Sequence, residues 1–142
     1  PDAGGVWFQV SICTQAGLAH QLEIGRTLSG LRDRGVLILG SGNVVHNLRA
    51  MRPGGAPLDF AEAFDGLFAD RLTERDFAAL ADAPGLGPLL SEAHPTVDHY
   101  LPALTIAGAS DSNDDLTYMT DAIDLGSVSM RSFLFHPRQT AA

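Results

Sequence analysis

Apolar residues change their spacing several times along the chain, and each change marks an expected element. Residues 5–12 carry Val6, Trp7, Phe8, Val10 and Ile12, a β-rich run that predicts a buried strand. Leu18, Leu22, Gly25, Leu28 and Leu31 then recur at helical spacing, with Glu23, Arg26, Arg32 and Asp33 mostly on the opposite side. Arg32 and Arg34 suit the negative end of the helix dipole, and Gly35 supplies a stop. Val36-Leu37-Ile38-Leu39 reads as a second strand, apolar on both faces. Strand, helix and strand with short joints predict a βαβ unit, a parallel pair with a right-handed crossover.

Beyond it, residues 40–43 turn into residues 44–49, and residues 52–57 form a Pro/Gly loop. Residues 59–71 are amphipathic, with Phe60, Ala63, Phe64, Leu67 and Phe68 as the apolar stripe. Thr73 with Asp76 resembles a capping box opening a short helix through Phe77 and Leu80. Pro84-Gly85 and Gly87-Pro88 interrupt the path before a helical turn over residues 89–93. Thr96 is placed to cap a helix from Val97 to about Ala107, and residues 116–120 and 128–135 read as two closing strands. The expected class is α/β: part of a mixed, mainly parallel central sheet with helices on both faces. Residues 138–142 are expected to be a loose tail.

Composition narrows the function classes. The 142 residues are 45% hydrophobic and 18% charged, a globular balance rather than a disordered one. Nine basic residues, all Arg, face seventeen acidic ones, for a net charge of −8. That balance argues against a nucleic-acid partner and against an anionic membrane surface. No apolar run approaches the ~20 residues of a membrane span, and no signal-like segment stands at the N-terminus. The single cysteine, Cys13, excludes an internal disulfide and fits a reducing, cytoplasmic setting. It reads as a packing residue rather than a nucleophile, since no basic partner adjoins it.

Two stretches carry candidate chemistry. The first is Gly40-Ser41-Gly42-Asn43-Val44-Val45-His46-Asn47, at the carboxyl end of an expected parallel strand, where α/β folds bind ligands. Glycines there let backbone approach a ligand, and His46 titrates near neutrality. The plain alternative is a tight turn with Asn43 satisfying backbone groups. A phosphate loop is disfavoured, because a third glycine and a following Lys are missing. The second stretch is His94-Pro95-Thr96-Val97-Asp98-His99-Tyr100. A separation of five residues is about 140° more than one helical turn, so its two histidines do not share a face and supply one metal ligand rather than a site. The plain alternative has Asp98 favouring a helix start and His99 packed on Tyr100. His20, His136 and the group Asp111, Asp114 and Asp115 read as solvated or structural.

The long motif from Gly40 to Arg49 resembles the extradiol aromatic ring-opening dioxygenases of the DOPA-dioxygenase type, in the superfamily of the protocatechuate 4,5-dioxygenase catalytic subunit. Further stretches agree in order: Pro1-Asp2-Ala3 leading to Val10-Ser11-Ile12, Glu23-Ile24-Gly25-Arg26 with Leu31-Arg32-Asp33, His94-Pro95-Thr96 through Pro102, and Gly126 to Ser132. The resemblance implies an oxidoreductase using non-haem Fe(II), with zinc an occupant of the same site, that cleaves a catechol beside its hydroxyls with O2. By position, it implies His46 as the acid–base histidine and His99 as a metal ligand, with Asn43, Asn47 and His94 as substrate-pocket residues.

Only the C-terminal half of the family is matched, so residues 1–142 are expected to be the C-terminal half of one catalytic domain. The other metal ligands have no counterpart here. One ligand does not hold Fe(II), so the isolated chain is expected to be inactive, completed by a missing N-terminal half, a complementary chain or an oligomer. The alternative is a non-enzymatic binding or scaffold protein of the same fold that lost its metal centre.

Overall fold

The computed structural model describes residues 5–138; the Pro1-Asp2-Ala3 motif and the tail beyond Arg138 lie outside the described residues. The helical expectations largely hold. Helix α1 (Leu18–Leu28) continues through a 3-10 stretch, Ser29–Arg34, and stops at Gly35, whose φ of 77° is the left-handed conformation that favours glycine. Helix α2 spans Asp59–Thr73 and buries Ala61, Phe64, Asp65, Phe68 and Leu72, while Ala63 is exposed. The inward stripe is therefore rotated from the expected one and includes a carboxylate. Helix α3 (Phe77–Leu80) is capped by Asp76 itself, whose Oδ1 accepts from the Ala79 N–H at 3.2 Å, so the expected cap at Thr73 is displaced by three residues.

Helix α4 (Ala83–Ala93) bends where Gly87 adopts φ 57° ahead of Pro88. The expected helix from Val97 is split: Val97–His99 form a 3-10 turn without a side-chain cap from Thr96, and α5 (Leu101–Ala109) starts with Pro102 in its first turn. Helices α1 and α5 pack closely through glycines. A Cβ on Gly25 would lie 2.1 Å from the Thr105 carbonyl oxygen, and one on Gly108 would lie 2.1 Å from that of Leu22. Tyr100, Leu101, Leu104, Phe64, Phe68, Leu72, Leu80 and Val45 form the fully buried centre.

The sheet differs from expectation. Strand β1 (Asp114–Thr120) pairs antiparallel with β4 (Ser132–Pro137), Leu116 opposite Phe135, with an irregularity between Tyr118 and Thr120. Strands β2 (Ile123–Asp124) and β3 (Val128–Ser129) make a separate antiparallel pair, so the single strand expected over residues 128–135 is broken at Met130 and Arg131. No parallel pair forms among the described residues, which corrects the mainly parallel sheet and its βαβ unit.

Residues 5–12 and 36–39 are irregular and exposed: Trp7 and Phe8 are 79% and 88% exposed, and Leu37 and Leu39 each 78%. A helix satisfies its backbone within one segment, whereas a strand needs a neighbour, and neither segment has one among the described residues. The chain is thus mixed helix and sheet, with its helices packed and only small antiparallel pairs among the described residues. No helix among the described residues is long and apolar enough to cross a membrane.

Two buried ion pairs tie the elements together. Arg32 grips Asp114 with two nitrogens, at 2.6 and 2.8 Å, and donates to the Ala109 carbonyl. Burial opposes ionisation of Asp114, but hydrogen bonds from Arg32 and from the Asp111 N–H hold its carboxyl below the ordinary range. Asp114 is therefore an anchor and not part of a solvated turn. Asp65 of α2 accepts from Arg131 at 3.0 and 2.6 Å and from the Ser129 hydroxyl at 2.6 Å.

Candidate active site

Residues 43–47 run between two supports. On one side the Asn43 N–H donates to the His99 carbonyl at 3.0 Å and the His46 N–H to the Ala93 carbonyl at 3.0 Å. On the other, the Ser129 N–H donates to Val45, and the Asn47 N–H donates to Ser127, whose hydroxyl returns a bond to the Asn47 carbonyl at 2.8 Å. Val44 and Val45 are buried, which fixes the segment's register and turns the neighbouring side chains outward.

These supports bring His46 and His99 together although they are far apart in sequence. Their rings stack with centroids 3.6 Å apart and planes 8° from parallel. His99 Nδ1 lies 3.3 Å from Asn43 Oδ1, and Asn43 Nδ2 donates to the Ser129 carbonyl at 2.9 Å. A carbonyl only accepts, so the amide is oriented with its oxygen toward the imidazole, and His99 carries its proton on Nδ1. The remaining nitrogen, Nε2, faces the Asp98 carboxylate at 3.7 Å. Burial, then the neighbouring His99 charge, lowers the His46 pKa below its ordinary value, with Asp98 opposing. The Thr96 hydroxyl, together with the adjacent histidines, holds the Asp98 carboxyl below its usual range.

The glycines of the motif have a different use from the expected one. A Cβ on Gly42 would sit 2.1 Å from the His99 carbonyl oxygen, and one on Gly40 would sit 2.8 Å from Ile106 Cγ1. They let the segment press against the turn that carries His99 and against α5, rather than admitting a ligand.

The other expected pocket residues separate. Asn43 lines a cavity of about 710 Å³ together with His99, Pro102, Ile106, Arg131 and Phe133, among others. His46 is not among the lining residues and meets the cavity only through its stack on His99. Asn47 is committed to backbone: its side chain accepts from the Arg49 N–H and donates to the Glu92 carbonyl at 2.7 Å. His94 is 3% exposed, with Nε2 donating to the Val44 carbonyl at 2.7 Å and its ring against Phe64 and Tyr100. Burial pushes its pKa down to about 4. The structure thus places His94 in the core, as a hook holding the strand-end segment, and not on the cavity. Cys13 and His20 are exposed, and His136 pairs with Thr117 on the hairpin.

Sequence reasoning missed the support line from Arg131 through Asp65 and Ser129 to Asn43. Its signal was a carboxylate on the buried stripe of α2, which demands a cation. The described residues do not fit a complete Fe(II) site. They hold no group of three or more His, Cys, Asp or Glu side chains suited to a metal. Stacked imidazoles also direct their in-plane lone pairs along parallel planes, not toward one point.

A mixed helix-and-sheet chain carrying a stacked histidine pair beside a cavity is the class these features define. Residues 5–126 match the family described as the catalytic LigB subunit of aromatic ring-opening dioxygenase. The chain belongs to that family. It is 36% identical over 140 residues to a 4,5-DOPA dioxygenase extradiol of Escherichia coli K12, covering 93% of this chain and 50% of the relative. A Beta vulgaris protein of the same name is 30% identical over 138 residues, covering 95% of this chain and 51% of its own. The crystal structure of an uncharacterized Escherichia coli K12 protein superimposes with a TM-score of 0.74 at 36% identity, over 87% of this chain and 52% of that one. The chain spans about half the length of the curated relatives it matches.

Proposed function

We propose that residues 1–142 form the C-terminal half of a catalytic domain that opens a catechol-type ring with O2, DOPA being the first substrate to assay. In this reading His46 takes a proton from a substrate hydroxyl and returns one as the ring opens, and His99 supplies one ligand to Fe(II), or zinc in its place. The remaining ligands come from outside the described residues. The mainly parallel sheet belongs to the completed domain.

One observation carries the reading: two distant histidines, at the positions the family resemblance singles out, meet at 3.6 Å beside a cavity large enough for a single aromatic ring. Burial and the adjacent imidazole keep His46 uncharged near neutral pH, the state a base requires. Asn43 fixes the tautomer of His99 so that Nε2 is the free nitrogen.

The test measures O2 uptake and ring-opened product with Fe(II) and DOPA. The expected outcome is no turnover by the chain alone and turnover once the domain is completed by the half of the Escherichia coli relative outside the match. His46→Ala in the completed domain then lowers kcat by about 10²–10⁴-fold. Full turnover by the isolated chain, or an unchanged kcat in the variant, overturns the assignment.

A further inference from the structure

Among the described residues two carboxylates are buried, Asp65 and Asp114, and an arginine grips each through two nitrogens. Only one of them leads to the histidine pair. Asp114 also accepts from the Asp111 N–H, and neither that turn nor Arg32 bonds to residues 43–47 or to His99. Asp65 also accepts from the Ser129 hydroxyl, and from there the bonds continue. Ser129 is fully buried; its N–H donates to Val45 and its carbonyl accepts from Asn43 Nδ2. Asn43 Oδ1 then lies against His99 Nδ1. At the far end Arg131 is held over the Tyr118 ring, and it lines the same cavity as Asn43 and His99.

A buried ion pair adds little stability over apolar residues of equal volume; what it supplies is a fixed arrangement. Here the arrangement decides a point of chemistry. The two ends of an Asn amide are alike in shape and opposite in role. Turned one way, Asn43 accepts from His99 Nδ1 and leaves Nε2 bare. Turned the other way it donates, and the imidazole proton moves to Nε2. The Ser129 carbonyl, which only accepts, selects the first orientation, and the hydroxyl of the same residue is tied to Asp65. We infer that Asp65 is a positioning residue for His99: with Arg131 it anchors Ser129, whose carbonyl orients Asn43 and so keeps the imidazole proton on Nδ1. The use made of the bare Nε2 rests on the proposed function above; the arrangement itself does not.

The test reads the ring-nitrogen shifts of His99 by NMR in the full chain. It is run well above the ordinary histidine pKa of about 6.5, where each neutral tautomer has its own signature. The unaltered chain is expected to carry the proton on Nδ1. A hydrogen bond of ordinary net strength biases such a ratio by about two- to tenfold, and Asp65→Asn is expected to move His99 by that factor toward the Nε2–H form. Ser129→Ala keeps the Arg131–Asp65 pair and a small buried side chain. It is expected to move the ratio the same way, and it carries the test if Asp65→Asn does not fold. Asp114→Asn is the control: it breaks the other buried pair, lowers the unfolding midpoint and leaves the His99 ratio unchanged. An Nε2–H form in the unaltered chain, an unmoved ratio in either folded variant, or an equal movement in Asp114→Asn overturns the inference. Ring opening is scored separately in the completed domain, so a ratio that moves without any turnover refutes the proposed function and leaves the positioning role standing.

Discussion

Residues 5–12 and residues 101–109 are both strongly apolar, yet one lies open and the other is buried. Helix α5 closes its hydrogen bonds within itself and is received by α1 through the Gly25 and Gly108 contacts. The N-terminal segment has equal cause to leave water but no strand to pair with among the described residues. Hydrophobicity states that a segment wants to be covered; it does not supply the cover. Among the described residues the helical layer completes itself, whereas these apolar segments stay unpaired.

The strongest way to break that contrast is to remove a side chain from the finished layer. Phe64 is fully buried, with its ring against His94 and Tyr100. Phe64→Ala is expected to cost about 3–5 kcal/mol in denaturant unfolding, and a cost below about 1 kcal/mol would mean this core is loosely packed.

Next in size is a pH effect at the hook beside the site. The unfolded chain protonates His94 near 6.5, whereas the folded chain resists until about pH 4. Between those values the unfolded state binds more protons, so stability falls as pH is lowered through the window, by about 3 kcal/mol in full. His94→Gln keeps a donor toward Val44 and is expected to flatten that slope in urea titrations taken at successive pH values.

A smaller cost tests the glycine contact that places His99. Gly42→Ala forces a methyl group against the His99 carbonyl and is expected to cost about 1–3 kcal/mol. It is also expected to separate the stacked rings, visible as changed imidazole shifts in NMR, whereas unchanged shifts would show the turn yields elsewhere.

The smallest effect belongs to the open layer. Leu37→Ser in the lone chain is expected to change stability by no more than about 0.5 kcal/mol, because that side chain is already in water. A large loss there would show that residues 36–39 are covered in solution.

Legibility in the sequence followed the same division. The existence of α1, the stop at Gly35 and most of α2 were readable because helical periodicity and a left-handed glycine are local signals. The parallel pair expected of residues 5–12 and 36–39 does not form among the described residues, because an apolar run does not name its partner. At the site, the family resemblance singled out His46 and His99, but their stacking depends on contacts made by Ala93, Ser127 and Ser129, which no periodicity reports. His94 looked like a pocket residue because it stands near His99 in sequence; its bond to Val44 turns it inward instead. Asp65 drew no reading from the sequence, because its partner Arg131 comes from across the fold.

The bonds from His46 to Ala93 and from His94 to Val44 have an architectural consequence. The chain leaves the site at residue 47 and, after α2, α3 and α4, comes back to the same spot at residue 93. That excursion is a closed detour, clasped at its neck. The detour is not expendable, because it carries Phe64 and Asp65, whose contacts with His94 and Ser129 brace the same neck from inside.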